Sequence, residues 1–138
     1  MQTVTVTRTV PASVEEVRDA MLDLEPFTRA AGFDEVVVDD QTIRVANKVG
    51  IATISLDLEI VDDPDATLAY EQREGIFKEM RTTFTLQPVA DGTEVTATTE
   101  FALDVALVGE VLDATVITRQ RRKELEAQFD YLEDFVGA

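Results

Sequence analysis

The chain has 138 residues, no cysteine and no histidine, and its 12 basic against 28 acidic side chains give a formal net charge of −16. This length suits one domain, and we expect a single domain over residues 1–138. Without cysteine and histidine the chain cannot form disulfides, the usual zinc sites or a Cys–His catalytic pair, so we expect no metal and no cofactor. Because the negative net charge repels phosphate groups, we also expect no nucleic-acid partner.

The acidic residues are spread along the whole chain, and Lys48, Lys78 and Lys123 are its only lysines. This composition is typical of salt-in halophiles, because salt of about 1 M shortens the screening length to about 3 Å and removes the self-repulsion. The apolar stretches are shorter than the ~20 residues of a membrane span, so we expect no integral membrane contact. Met1 leads directly into alternating threonine and valine, without a signal sequence, which favours a cytoplasmic location.

The first part of the chain predicts a strand followed by two helices. Residues Thr3–Val10 alternate threonine and valine at the period of two that is typical of a half-buried strand. Ser13 and Glu16 form a capping box, which predicts a helix of about ten residues. Residues 24–31 predict a second, short helix, since a proline suits its first turn and Gly32 its end.

After Gly32 the pattern is typical of β structure for about seventy residues. Recurring turn signals divide this stretch into six further strands, which we expect to form an antiparallel meander. The clearest signal is Asp91-Gly92, which suits the positive φ angles of a tight hairpin turn. Beyond Leu103 helical spacing returns and continues to Gly137, so the last helix is predicted to be long.

The last helix has an inward face whose centre is small and polar, while both ends are large and apolar. Taken at 100° per residue from Leu125, its members are Leu107, Val111, Ala114, Thr118, Arg121 or Arg122, Leu125, Phe129, Leu132 and Val136. A helix that lies flat on a sheet does not normally thin out at its centre, so we expect a cavity beneath it. The alternative is that large side chains of the sheet fill the space.

Strand parity places several polar side chains among the apolar ones of the inward face. A buried polar group costs about 1–3 kcal/mol when unsatisfied, so several of them in one interior indicate water or ligand partners. The alternative is a slip of parity at a bulge, or a position at the sheet ends in solvent. With the small and basic residues of the helix, the predicted ligand-binding set is Arg8, Asn47, Tyr70, Gln72, Thr82, Thr99, Ala114, Thr118, Arg121 and Arg122.

Charged and apolar residues near this set have more than one interpretation. Arg8 interrupts an apolar strand face and needs a carboxylate, which an inward glutamate or an acid group of a ligand could supply. The basic cluster of residues 119–123 is either part of the pocket or a solvated face balanced by Glu124 and its neighbours. Ile76 and Phe77, at a hairpin tip, could pack against a loop, act as a lid or dock a partner.

The element order resembles the helix-grip fold of the START-like superfamily, also called SRPBCC. The resemblance spans the chain and rests on the opening segment 4–17, on "DDPDATLAYEQREG" at 62–75, and on the Asp91-Gly92 hairpin running into Phe101. It implies an α+β fold of order β-α-α-β-β-β-β-β-β-α, with a seven-stranded antiparallel sheet curved around a long C-terminal helix and an apolar pocket. The chain is most similar to small prokaryotic members labelled polyketide cyclase/dehydrase or lipid-transport-like, and its acidic composition resembles haloarchaeal versions.

We therefore expect the chain to bind a hydrophobic small molecule, lipid, isoprenoid or quinone-like, between the sheet and the C-terminal helix, as carrier or sensor. One alternative is a cyclase or dehydratase acting on a polyketide-like substrate, for which a chain without histidine offers little acid or base beyond Tyr70. Another is a protein-interaction module with a vestigial pocket. A pocket of about 300 Å³ or more favours the first two, and a closed core favours the last.

Overall fold

The computed structural model describes residues 1–49, 51–103 and 114–136, and it contains the predicted elements in the predicted order. The helices and strands are β1 (Gln2–Val10), α1 (Val14–Leu22), α2 (Leu24–Arg29), β2 (Glu35–Asp39), β3 (Thr42–Val49), β4 (Ala52–Ile60), β5 (Leu68–Glu74), β6 (Phe77–Val89), β7 (Gly92–Leu103) and α3 (Ala114–Val136). The expected helical positions Leu107 and Val111 lie outside the described residues. No helix in the described ranges is long and apolar enough to cross a membrane.

All seven strands form one antiparallel sheet in the order β1-β7-β6-β5-β4-β3-β2. The first strand therefore lies beside the last, and β1 pairs with β7 from Gln2 opposite Phe101 to Val10 opposite Thr93. Strands β2 to β7 follow one another as a meander. The predicted α+β architecture, a seven-stranded sheet with a C-terminal helix against it, is confirmed.

The core lies between one face of this sheet and the helices. In β1 the inward positions Val4, Val6 and Val10 are buried, as the alternation predicts. The helix α3 contributes Phe129 and Leu132, both without exposed surface, and it contacts β1, β7, α1 and α2. The apolar stripe of α3 thus presses the helix onto the sheet and fixes which of its residues face inward.

The first helix begins at the predicted capping box. The backbone N–H of Glu16 donates to Ser13 Oγ at 3.2 Å, and Ser13 Oγ donates to Glu16 Oε1 at 3.1 Å. The second helix ends at Arg29, two residues before the predicted end, and the chain turns at Gly32 with φ of +96°. These two helices bring Val17 and Phe27 into the core.

We expect Gly92→Ala to destabilise the protein by about 2 kcal/mol or more. Gly92 has φ of +144°, and a Cβ there would lie 2.1 Å from the Val10 carbonyl oxygen, so β1 or the hairpin would have to move. Gly32→Ala is the matched control, because its φ is also positive but a Cβ would meet nothing within 4 Å. Urea unfolding of both variants measures the difference, and equal losses would contradict the close approach of β1 and the hairpin.

Candidate functional site

An apolar cavity lies between the sheet and α3, beneath the part of the helix where the sequence predicts one. It encloses about 40 Å³, room for a few water molecules at about 10–15 Å³ each. This is far smaller than the pocket of about 300 Å³ or more that a preformed ligand site was expected to show. Its lining comprises Phe33, Val45, Asn47, Ile54, Leu56, Leu58, Tyr70, Phe77, Met80, Thr99, Phe101, Ile117, Gln120, Arg121 and Glu124.

The polar wall of the cavity is organised by Arg121, which α3 carries into the interior with 6% of its surface exposed. Its Nε donates to Thr99 Oγ1 at 2.9 Å, and its Nη2 donates to the Tyr70 hydroxyl at 2.6 Å and to Thr82 Oγ1 at 3.2 Å. Its Nη1 donates to Glu124 Oε1 at 3.1 Å. These bonds use four of the five N–H groups of the guanidinium.

Glu124 neutralises this buried cation from one helical turn further along α3. The side chains of Arg121 and Glu124 are 8% and 9% exposed, and Gln120 Nε2 donates to the second carboxylate oxygen at 3.1 Å. Burial by itself lowers the pKa of Arg121, but Tyr70 and Glu124 outweigh it and hold that pKa above its ordinary value. The guanidinium is therefore charged, and Arg121 and Glu124 together contribute no net charge to the cavity.

The three hydroxyl groups that meet Arg121 come from three neighbouring strands. Tyr70 on β5 lies opposite Thr82 on β6, which lies opposite Thr99 on β7. The two threonine Oγ1 atoms are 2.8 Å apart and share a hydrogen bond. Because side chains alternate across a strand, this register places all three hydroxyls in one row on the inward face.

The structure therefore brings together five of the predicted site residues. Asn47, Tyr70, Thr99 and Arg121 line the cavity. Thr82, fully buried, lies between Tyr70 and Thr99 in the hydroxyl row. Asn47, Thr82 and Thr99 were singled out as polar residues on an apolar face, and Tyr70 as an inward candidate acid. Between the two arginines that the helical spacing left open, Arg121 is the buried one.

Two predicted residues on the strands lie elsewhere. Arg8 forms ion pairs with Asp130 and, at 3.5 Å, with Glu133 on α3, and its guanidinium lies 5.8 Å from the centre of the Phe129 ring. Neither the inward glutamate nor the ligand acid that was expected supplies the carboxylate, because the side chains of Asp130 and Glu133 are 68% and 39% exposed. Gln72 is bound to the backbone of its own hairpin, donating to the carbonyl of Phe77 at 2.8 Å and accepting from its N–H at 3.1 Å. Neither residue lines the cavity.

The other predicted residues of α3 also lie outside the cavity. Ala114, Thr118 and Arg122 line a separate groove beside Gln2, and Arg122 is exposed and donates to the carbonyl of Thr5 at 3.3 Å. The predicted inward face is confirmed at Arg121, Leu125, Phe129 and Leu132, which are all buried. That face is wider than predicted and also includes Ile117, Glu124 and Gln128, whereas Ala114 and Thr118 are only half-buried.

Sequence reasoning missed Glu124, which it placed among solvated charges, and the apolar lining, which it treated as plain core. The signal for Glu124 was its place three residues after Arg121 on a helix, a spacing at which two side chains share one face. The apolar lining of the strands gave no signal, because an inward valine or leucine has the same pattern whether it faces another side chain or a cavity.

The hairpin tip between β5 and β6 packs inward. Ile76 and Phe77 are half-buried against the core, and the Phe77 ring lies 5.2 Å from that of Phe101, centre to centre. The expected packing partner was a neighbouring loop, whereas the structure places these side chains against the core, including Phe101 on β7. Phe77 also lines the cavity, so this tip forms part of its wall.

The chemistry of the wall suits binding more than bond making. Glu124 is the one carboxylate among the described lining residues, and both of its oxygens accept hydrogen bonds. The hydroxyl of Tyr70 accepts from Arg121, which leaves its own hydrogen to donate. Across the described ranges no three acidic side chains are grouped closely enough to hold a metal ion.

Comparisons with known proteins agree with this architecture. A comparison with curated protein sequences finds no match. Among solved structures, a protein of Thermus thermophilus superposes with a TM-score of 0.76 at 21% identity, over 98% of this chain and 97% of that one. The Zhui aromatase/cyclase of Streptomyces sp. R1128 has a TM-score of 0.75 and 19% sequence identity, over 96% of this chain and 93% of that one. A START superfamily protein of Mycobacterium smegmatis has a TM-score of 0.73 and 14% identity, over 98% of this chain and 97% of that one.

These similarities confirm the helix-grip fold. The sequence pattern of the family described as polyketide cyclase/dehydrase and lipid transport matches residues 1–135. That match spans nearly the whole chain and includes every residue of the cavity lining, from Phe33 to Glu124. The chain therefore belongs to the polyketide cyclase/dehydrase and lipid transport family.

Proposed function

We propose that the protein binds a hydrophobic small molecule, lipid, isoprenoid or quinone-like, in the cavity between the sheet and α3, as a carrier or sensor. The observation that carries this proposal is the buried Arg121 in the wall of a mostly apolar cavity. Well-packed apolar residues often stabilise a core as well as a buried ion pair does. A charge kept in this position, with hydroxyls arranged around it, therefore favours a role in recognition.

Binding requires the lining side chains to move apart, because the cavity of about 40 Å³ is smaller than the ligand. Five lining residues are only half-buried, and they mark where the cavity approaches solvent: Phe33, Asn47, Ile54, Phe77 and Gln120. We expect these half-buried side chains to move when a ligand enters, since they are less confined than the buried ones. The hydrogen-bonded row around Arg121, which is fully or nearly fully buried, is then the part of the site that stays in place.

The two alternatives receive less support. A cyclase or dehydratase needs a general acid or base, and Glu124 is engaged with Arg121 and Gln120, which leaves the Tyr70 hydroxyl. A protein-interaction module was suggested by the apolar hairpin tip, but Ile76 and Phe77 pack against the core. The small volume of the cavity favours that module, and the buried charge beside an apolar space favours ligand binding.

The test is mass spectrometry of an organic extract of the purified protein, after incubation with a lipid mixture in molar salt. The salt follows from the formal charge of −16 and from our proposal that the protein works in a salt-rich cytoplasm. We expect a retained apolar compound at up to one per chain. We expect Ile54→Trp, which fills the mouth, to reduce retention about tenfold or more, since a side chain then occupies the ligand's volume.

Val37→Trp is the matched control, because Val37 is 57% exposed on the edge strand β2 and does not line the cavity. We expect it to retain as much compound as the unaltered protein. An extract no richer than that of denatured protein would contradict the proposal. Equal retention by both tryptophan variants would place the bound compound outside the cavity and would contradict it as well.

A further inference from the structure

The polar wall of the cavity has unused hydrogen-bond donors. One N–H on Nη1 of Arg121 and the hydroxyl hydrogen of Tyr70 have no acceptor among the described residues. The oxygens of Glu124 accept from Arg121 and Gln120. The group that complements the part of the wall formed by Arg121 and Tyr70 is therefore an acceptor, such as a carbonyl oxygen.

The same wall is unfavourable for a carboxylate. Arg121 and Glu124 are the only charged residues among the described lining residues, and they already neutralise each other. A carboxylate bound to the free N–H of Arg121 would share that guanidinium with Glu124. The cavity would then hold a net negative charge with two carboxylates close together and away from water, which a low-dielectric interior disfavours strongly.

We propose that the ligand is a neutral molecule with a carbonyl group on an apolar body, and that Glu124 is the residue that excludes carboxylic acids. This inference rests on the proposed function, because it assumes that the ligand occupies the cavity. Arg121 and Tyr70 bind the carbonyl oxygen. Glu124 sets the specificity through its charge, so a fatty acid is rejected although its chain would fit as well as that of the corresponding ketone.

The test compares 2-undecanone with decanoate, in which an ionised oxygen replaces the methyl group beside the carbonyl. The affinity of each compound is measured by how well it displaces an apolar fluorescent dye from the protein in salt of about 1 M. At that salt the screening length is about 3 Å, which suppresses the effect of the surface charges but not that of a buried charge. We expect the ketone to bind at least about tenfold more tightly than decanoate. In Glu124→Gln we expect this preference to fall at least about tenfold or to invert. The positive charge of Arg121 then has no carboxylate of the protein beside it and can pair with decanoate.

Glu126→Gln is the matched control, since it removes the same charge from an exposed position of α3 and should keep the preference unchanged. Tyr70→Phe provides a second test that keeps Glu124 in place, and we expect it to weaken ketone binding about three- to tenfold. Equal binding of the two compounds by the unaltered protein would overturn the inference, as would a Glu124→Gln preference equal to that of Glu126→Gln.

Failure of the inference is distinguishable from failure of the proposed function. If the dye binds but decanoate displaces it as well as the ketone does, or neither compound displaces it, the inference alone is overturned. If no variant binds the dye, the proposed function fails and the inference fails with it. A folded Tyr70→Phe variant with unchanged ketone affinity would also count against the carbonyl contact.

Discussion

Replacing Arg121 by methionine is expected to destabilise the protein by about 3–5 kcal/mol, since it leaves Glu124 buried without its cation. Both side chains are less than a tenth exposed, and Arg121 Nη1 lies 3.1 Å from Glu124 Oε1. The guanidinium also binds three hydroxyl groups. Urea unfolding of the variant at constant salt measures the loss. Arg122→Met is the control, because the neighbouring arginine is exposed, and we expect it to change the stability by no more than about 0.5 kcal/mol.

Adding Glu124→Gln to Arg121→Met should restore a large part of this stability. The double variant no longer buries an unpaired charge, and apolar or neutral replacements of buried ion pairs are often close to neutral in cost. The single and double variants form a cycle that isolates the coupling between the two residues. If the double variant loses as much stability as the two single variants added together, the two residues are not coupled. That result would contradict the view that their ion pair organises the cavity wall.

Phe101→Ala is expected to cost about 3–5 kcal/mol and to create a site for small apolar molecules. Phe101 has no exposed surface, lies against Phe77 and lines the cavity, so truncation joins a new void to the existing one. Dry apolar cavities bind benzene, so benzene should raise the melting temperature of this variant. Phe135→Ala, at a side chain 54% exposed, should lose less than about 1 kcal/mol and gain nothing from benzene.

A loss for Phe101→Ala as small as that for Phe135→Ala would contradict the place of Phe101 in the cavity wall. A large loss without any response to benzene would show that the surrounding side chains collapse into the void. That result would mean that the cavity wall yields too readily to hold a defined ligand site.

The order of the elements could be predicted because each has a strong local signal. The alternating β1, the capping box at Ser13 and the Asp91-Gly92 turn depend on residues close together in sequence. The hydroxyl row was predictable for the same reason. Strand parity alone places Tyr70, Thr82 and Thr99 on the inward face, and antiparallel pairing then brings them side by side.

The choice between Arg121 and Arg122 as the buried arginine and the size of the cavity were not predictable in this way. Helical spacing allows a face centred on either Arg121 or Arg122, and the choice is made by packing against β1 and β7, which are distant in sequence. Arg8 shows the same limit. Its need for a carboxylate could be inferred, but the partners Asp130 and Glu133 are more than a hundred residues away, on a helix whose rotation was open.

The account depends on one claim, that an apolar molecule enters the space between the sheet and α3. The three methionines of the chain report on it separately. Met80 lines the cavity, Met21 lies in the core on α1 outside the lining, and Met1 is 68% exposed.

The most direct measurement is therefore NMR of protein labelled with ¹³C at the methionine methyl groups, titrated with 2-undecanone in molar salt. The account predicts a saturable shift of the Met80 signal with little change at Met21 and Met1. Saturable binding that moves Met1 and leaves Met80 unchanged, or no saturable shift of any signal, would contradict it.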